Sequence, residues 1–495
     1  MPTTVVKKKR SFYGLVMILG AAFMLLFGYV IPPFGGITDL GMKMLGVLIG
    51  LIIITCFGGD LLGGSLLALL CTVFHGYYTP SGLFEYWLGS NATVQLIFCG
   101  AICLALRESG AMDVVAKKML GSRLCKGRPL ATLIVLFSAT YVVGIFINGA
   151  PIYILFFTLL ESIRDICGYD KKDPFIRFTL LGIYLGALGT FFFAWKAPQN
   201  ITIALIETLM EPYGMHLSSG VWMFIQAFSL VGFNIIYAVM MKTVFKVNLQ
   251  PLSNLDINKV ESMKDVSNKF NRDQKIIIAI MLACVAYIMI TTVLPSTIPY
   301  YDKITCFGST WIWVLACMGC ACVRRKGTRQ SYLPMGKLLS NASTWGLIAL
   351  VGALMMLGQV TSDESLGIRG WLINVLSPLF GNMNLFALMA VVVIFTTLVT
   401  NICNGLVLTM AVCPVITPFV CEMAATSGIN PSVILTVVSC CANVAYLTVA
   451  GSVNAAYLLG REEITQKFIW TKGVIVLCAY MVFQYAVGMV FSYVL

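Results

Sequence analysis

The sequence predicts an all-α polytopic membrane protein, with about eleven transmembrane helices plus two re-entrant hairpins in two inverted-topology repeats. Three observations predict it. First, 59% of the 495 residues are hydrophobic and only 11% are charged, with a mean hydropathy of +0.89, far from a soluble globular average. Second, many apolar runs approach or exceed the roughly 20 residues that a spanning helix needs. Third, polar breaks interrupt those runs at matching points of the two halves. Asn148-Gly149 lies within IFINGAPIYILFF, and Asn404-Gly405 within LVTNICNGLVLTM. Each is followed by a second break ending in Asn, at Asn200 (52 residues on, 148 to 200) and at Asn454 (50 residues on, 404 to 454). A membrane interior has no water for freed backbone groups, so broken helices persist there only around a protein-lined cavity. Breaks at corresponding positions of two halves point to the midplane site of a secondary transporter.

The distribution of Lys and Arg orients the elements. Residues 1–40 form an N-terminal segment whose basic cluster, Lys7 to Arg10, is cytoplasmic, followed by an exiting span at 11–31. The basic start leads straight into that span, so no cleavable signal peptide is expected. Residues 41–246 form the first repeat. Spans at about 41–57 and 60–75 return and exit, and the loop from His75 to Ser90 contains no Lys or Arg, as an outer loop should. Span 91–107 comes back to Lys117, Lys118, Arg123, Lys126 and Arg128. The apolar residues 129–147 ought then to cross, yet the next basic cluster, Arg164 to Arg177, follows the Asn148 break and one more apolar run. Both flanks are thus cytoplasmic, and a re-entrant hairpin with its tip at Asn148-Gly149-Ala150-Pro151 is the economical solution. Span 178–206, broken at 189–200, exits towards Glu207 and Glu211, and span 218–241 returns.

Residues 247–273 lie in the polar stretch read as a cytoplasmic linker, and 274–495 repeat the pattern upside down. Spans 276–294 and 307–323 go out and back to a basic loop (Arg324, Arg325, Lys326, Arg329, Lys337), and span 343–360 exits. Residues 384–421 make a second hairpin, with its tip at Asn401 to Gly405, that enters from outside. Span 432–460, broken at 448–454, returns to Arg461, Lys467 and Lys472, and span 473–493 leaves the C-terminus extracytoplasmic.

A hairpin tip ends one half-helix and begins another, which frees carbonyls on one side and N–H groups on the other. The N–H end suits a carboxylate and the carbonyl end a cation. Asn supplies both an amide oxygen and an NH₂ group, and Gly lets a ligand approach the backbone. The competing reading is that Asn-Gly and Pro mark ordinary exposed turns; four such turns at paired spacings favour a site. The second hairpin offers oxygen ligands at Thr400, Asn401 and Asn404, and its broken partner at Thr448, Ser452 and Asn454. The first half offers Asn148, Thr190 and Asn200, and places Lys196 in the middle of its break. An intramembrane cation points to function. Its ammonium either stands in for a coupling ion or pairs with a substrate carboxylate; the alternative is a side chain snorkelling to water.

The layout resembles, over about residues 41–495, the divalent anion:sodium symporters, the INDY-like di- and tricarboxylate carriers of the ion transporter superfamily. Hairpin tips of that family carry Ser-Asn-Thr. Here Asn148 and Asn404 match the Asn, while Ile147, Gly149, Cys403 and Gly405 replace the hydroxyl residues. Lys196-Ala197-Pro198-Gln199-Asn200 and Ala450-Gly451-Ser452-Val453-Asn454 are similar to the family's unwound loops, and Arg107-Glu108-Ser109-Gly110 with Met112 to Leu120 to its interfacial helix. The resemblance implies elevator-type alternating access, a homodimer, sodium as coupling ion with no other cofactor, and a small organic anion as substrate. It places the substrate against Asn148, Gly149, Ala150, Pro198, Asn200, Asn404, Gly405 and Asn454.

Other classes fit less well. The net charge of +12 comes from short loops between spans rather than from a nucleic-acid face. A membrane-embedded enzyme would need converging acids, His or metal ligands, and the two His residues are isolated. A channel would need a continuous polar pore. Cys317 and Cys320 have C-x-x-C spacing, but Cys residues inside apolar spans read as packing residues. The Lys/Arg asymmetry suits a bacterial inner membrane. Among transporters, a proton-coupled or sodium-independent anion carrier, or an arsenite or sodium/proton antiporter of the same superfamily, is the runner-up.

Overall fold

The computed structural model describes residues 3–55, 61–147, 150–196, 199–255, 266–267, 269–293, 299–323, 331, 334–342, 345–380, 383–448, 451–452 and 454–495. The first half contains α1 (Thr3–Val30), α2 (Asp39–Ile53), α3 (Leu61–Phe74), α4 (Pro80–Leu88), α5 (Asn91–Glu108), α6 (Ala111–Leu120), α7 (Pro129–Phe146), α8 (Ala150–Cys167), α9 (Pro174–Ala187), α10 (Gln199–Met210) and α11 (Ser219–Thr243). The second contains α12 (Arg272–Val293), α13 (Gly308–Cys322), α14 (Met335–Ala342), α15 (Trp345–Ser362), α16 (Ile368–Phe380), α17 (Leu385–Val399), α18 (Gly405–Ser427), α19 (Pro431–Ala442), α20 (Ala455–Leu459) and α21 (Val474–Val494).

The fold class is that of a polytopic α-helical membrane protein. Among the described residues, eight helices are long and apolar enough to cross a membrane. Large apolar side chains stay exposed on outward faces, such as Leu15, Ile18 and Leu26 of α1 and Val482 and Val490 of α21. In lipid such a face is solvated, so it needs no protein cover. Helix entries follow local chemistry: Ser90 Oγ accepts from Thr93 N (3.2 Å), Asp173 from Phe175 N (2.7 Å) and Asn430 from Ser432 N (2.9 Å). Pro80, Pro174 and Pro431 sit in the first turn, where a missing N–H is harmless.

The expected breaks are helix ends. The chain leaves helical geometry between α7 and α8, between α9 and α10, between α17 and α18, and between α19 and α20. The interfacial helix expected after Gly110 is α6, entered through Gly110 in the left-handed region (φ +68°). Two differences stand out. The break after α19 starts at Asn443 rather than 448, five residues early. Short helices α4, α14 and α16 occupy stretches read as loops.

The two halves interlock around these breaks. Tyr184 Oη of α9 donates to Ala445 O (2.5 Å), and Ser439 Oγ of α19 donates to Gln199 Oε1 of α10 (3.2 Å). Ser229 Oγ on α11 donates to Gln484 Oε1 on α21 (3.1 Å). Each bond pairs buried polar groups that would otherwise be orphaned in an apolar surround.

Candidate functional site

Lys196 organises the first break. Its carbonyl accepts from Gln199 N (2.9 Å) and Asn200 N (3.2 Å), which starts α10. Its ammonium turns back to the end of α7, donating to Ile145 O (2.5 Å) and reaching Gly144 O at 3.5 Å. Those carbonyls belong to the last turn of α7, where no intrahelical donor remains and the helix dipole is negative. Lys196 is only 4% exposed, so it does not snorkel to water. Among the described residues no carboxylate pairs with it; the Cys99 and Cys103 thiols of α5 are its titratable neighbours. The Lys196 side chain therefore occupies the carbonyl end of α7. Thr190 is buried in the 3₁₀ turn Leu188–Phe191 on the other side of the same break.

Asn200 follows on α10. Its Nδ2 donates to Ala92 O (2.9 Å), which fixes the amide orientation because a carbonyl can only accept. Among the described residues, Asn200 Oδ1 is then buried without a donor and Trp195 Nε1 without an acceptor. Both residues line a cavity of about 630 Å³. Phe193 stacks on the Trp195 ring (centroids 5.1 Å apart) and backs it from the protein side. The junction of α4 and α5, with Ser90, Asn91 and Gln95, adjoins Asn200 in the cavity wall. Gln95 Nε2 is held by Thr310 Oγ1 (3.0 Å) and Ser309 Oγ (3.2 Å) at the start of α13. Glu85, Glu207, Glu211 and His216 also line it. None of these wall residues was singled out from the sequence as a site; the Ser90 cap ahead of an apolar run was the available signal.

The second half-site is built differently. Asn401 clamps the α17–α18 turn to the break after α19. Its Oδ1 accepts from Tyr446 N (3.0 Å) and Leu447 N (2.9 Å), and its Nδ2 donates to Thr397 O (2.8 Å) and Val444 O (3.3 Å). Thr400 Oγ1 donates to Ala442 O, and Thr448 Oγ1 to Asn401 O. Asn404 Oδ1 caps α18 through Leu406 N (2.9 Å), and Ser452 Oγ accepts from Asn454 N (3.2 Å). The backbones mesh so closely that a Cβ on Gly405 would stand 1.9 Å from Ala442 O, and one on Gly451 2.4 Å from Thr400 O. Thr400, Asn401, Thr448, Gly405 and Ser452 are thus gathered in one place, while Asn200 is the one described substrate-site residue on the large cavity. Ala150 opens α8; Asn148, Gly149 and Pro198 lie outside the described residues.

Replacing Asn401 by alanine leaves the buried Tyr446 and Leu447 N–H groups without an acceptor, at about 1–3 kcal/mol each. The expected result is a lower thermal midpoint of the detergent-purified protein, with Asn401→Asp failing as well because Thr397 O and Val444 O lose their donor. A midpoint equal to the parent's would show that the clamp adds nothing.

Elsewhere, Arg461 pairs with Glu161 of α8 and with Glu463 (3.4 Å). Tyr153 of α8 stacks on Tyr457 of α20 (centroids 5.3 Å) and on Tyr184 (5.9 Å). These contacts join α8 to the segment that follows the second break.

No protein-family model matches the sequence, and no curated protein matches it. The fold is similar to that of the crystal structure of the Alcanivorax borkumensis YdaH transporter, which is described as revealing an unusual topology. The TM-score is 0.54 at 13% identity, over 92% of this chain and 99% of that one. The chain is a multi-pass membrane protein with the fold of a membrane transporter.

Proposed function

We propose that the protein is a secondary active transporter of small organic anions, di- or tricarboxylates, working by elevator-type alternating access. One observation carries this reading: the buried Lys196 ammonium sits on the terminal carbonyls of α7, beside a cavity lined by Asn200 with an unsatisfied amide oxygen. A fixed cation at a broken helix, next to a ligand-sized cavity, is the arrangement that holds an anionic cargo at a membrane midplane. Sodium is the proposed coupling ion of the second half-site. The Thr400 and Thr448 hydroxyls each donate once and keep lone pairs for a hard cation. Lys196 then replaces the ion of the first half-site, in line with the loss of hydroxyl residues beside Asn148.

The cavity is read as outward-facing, because His75 to Ser90 and Glu207 to Ser218 contain no Lys or Arg. The Arg461–Glu161 contact and the tyrosine stack are read as the closed cytoplasmic side. A homodimer in a bacterial inner membrane, with two inverted repeats, completes the reading through its resemblance to divalent anion:sodium symporters.

The test is uptake of radiolabelled succinate and citrate into proteoliposomes, with and without an inward sodium gradient. Sodium-driven accumulation is the expected result. Uptake indifferent to sodium would retain the carboxylate cargo and leave Lys196 as the sole cation of the cycle. No uptake in either condition would refute the carboxylate assignment.

A further inference from the structure

The two half-sites are joined by a string of hydrogen bonds that crosses from one half of the chain to the other. It starts at Thr400, whose hydroxyl donates to Ala442 O. The next residue, Asn443, caps α19 and folds back on its last turn, with Nδ2 donating to Ser439 O (2.7 Å) and to Ser439 Oγ (3.3 Å). Ser439 Oγ makes the crossing by donating to Gln199 Oε1 (3.2 Å). Gln199 is the first residue of α10, and its N–H goes to the carbonyl of Lys196 (2.9 Å), whose ammonium holds Ile145 O at the end of α7. The Ser439 hydroxyl has one proton, which it gives to Gln199, and it accepts in turn from Asn443. Ser439 and Gln199 are each 1% exposed, so the crossing lies in the interior, where a polar group left unpaired is costly. Its position separates it from an ordinary buried bond. Ser229 and Gln484 also bond across the halves, but on α11 and α21, away from the breaks. Ser439 to Gln199 ties the last turn of α19 to the first turn of α10, two helix ends that lack part of their intrahelical ladder.

We infer that Ser439 and Gln199 are positioning residues that link ion occupancy of the second half-site to cargo affinity beside Lys196. This rests on the reading of the chain as a sodium-coupled carboxylate carrier. A sodium ion taken by Thr400 and Thr448 engages the hydroxyl that holds Ala442 O. The end of α19 follows, Asn443 and Ser439 with it, and Gln199 carries the shift into the turn that holds Lys196. Linkage is reciprocal, so cargo raises sodium affinity by the same factor.

Uptake of succinate and citrate by the full-length protein in proteoliposomes is measured over a range of sodium concentrations, which gives the cargo KM at each. In the parent, KM is expected to fall by at least about fivefold between low and saturating sodium. In Ser439→Ala and in Gln199→Leu the fall is expected to shrink below about twofold. The double variant is expected to match either single one, because both remove the same bond. Ser439→Thr keeps the hydroxyl and should restore the fall. Ser229→Ala, which cuts a buried bond between the halves away from the breaks, should keep it. A merely structural bond would lower the thermal midpoint or the maximal rate and leave the sodium dependence of KM at the parent's value. That outcome in the two single variants would overturn the inference and leave the transporter reading intact. An equal loss in Ser229→Ala would overturn it as well, since any loosening between the halves would then suffice. A parent whose cargo KM ignores sodium would overturn the inference and the sodium assignment while keeping the carboxylate cargo. Uptake of neither carboxylate would refute the underlying reading together with the inference.

Discussion

Lys196→Met is expected to abolish uptake at low sodium and to recover part of it as sodium is raised. The methionine side chain fills similar space but leaves Gly144 O and Ile145 O facing an apolar surround with no donor. An unsatisfied buried polar group costs about 1–3 kcal/mol, enough to lower the occupancy of the competent state by about tenfold or more. A free sodium ion that settles on those carbonyls restores the missing charge, so the recovery should saturate with sodium and be absent with choline. Lys196→Arg makes a sharper comparison. It keeps the charge, but a planar guanidinium does not fit where a compact ammonium reaches two carbonyls. Transport by Lys196→Met that matches the parent, in both rate and sodium dependence, would remove Lys196 from the mechanism.

Gly405→Ala is expected to prevent assembly of the second half-site. The added methyl group would fall 1.9 Å from Ala442 O and 3.1 Å from Thr400 Oγ1. The first neighbour is backbone, held in place by the Thr400 hydroxyl that donates to it. Relief therefore requires separating the α17–α18 turn from the end of α19. Overpacking in a tight core costs typically about 1–3 kcal/mol and occasionally more, and the loss of the Thr400 bond adds to that. The readout is the yield of monodisperse protein and its thermal midpoint. Gly319→Ala, on α13 where nothing lies within 4 Å of the new atom, serves as the control and should change little. A Gly405→Ala protein as stable as the control would mean that the two backbones are farther apart than described.

The helix ends at the breaks were legible because their chemistry is local. Asn-Gly and Lys-Ala-Pro cannot continue a helix quietly inside an apolar run, and α7 does end at Phe146 and α9 at Ala187. What the sequence hid has specific causes. The break after α19 begins at Asn443, but Val444 to Leu447 are apolar and read as more helix; the reason they unwind is Asn401, forty-odd residues away, which takes the Tyr446 and Leu447 N–H groups. Helices α4, α14 and α16 are too short to register as spans, although Thr79 before Pro80 is a sound start signal for α4. Most of the cavity's lining was hidden for a related reason. Its walls come from the α4–α5 junction and from Glu207 to His216, segments that read as loop edges and converge only in three dimensions. Conversely, the oxygen-rich set around Asn401 was visible as composition, but composition does not reveal that its amide is already saturated by four backbone partners.

A tethered ammonium differs from a bound ion in what it does to the electrical work of a cycle. In the proposed cycle sodium would leave with the cargo, so the returning empty carrier would be lighter by its charge. Lys196, attached to its carbonyls at the end of α7, would in that cycle cross the same fraction of the field in both directions. It would contribute nothing to net current, yet the membrane potential would act on it at every return step. A full crossing of one charge is worth about 2.3 kcal/mol per 100 mV. An inside-negative potential would thus help this charge inward on the loaded carrier and slow the empty reset, which would make turnover, rather than stoichiometry, the quantity that voltage controls.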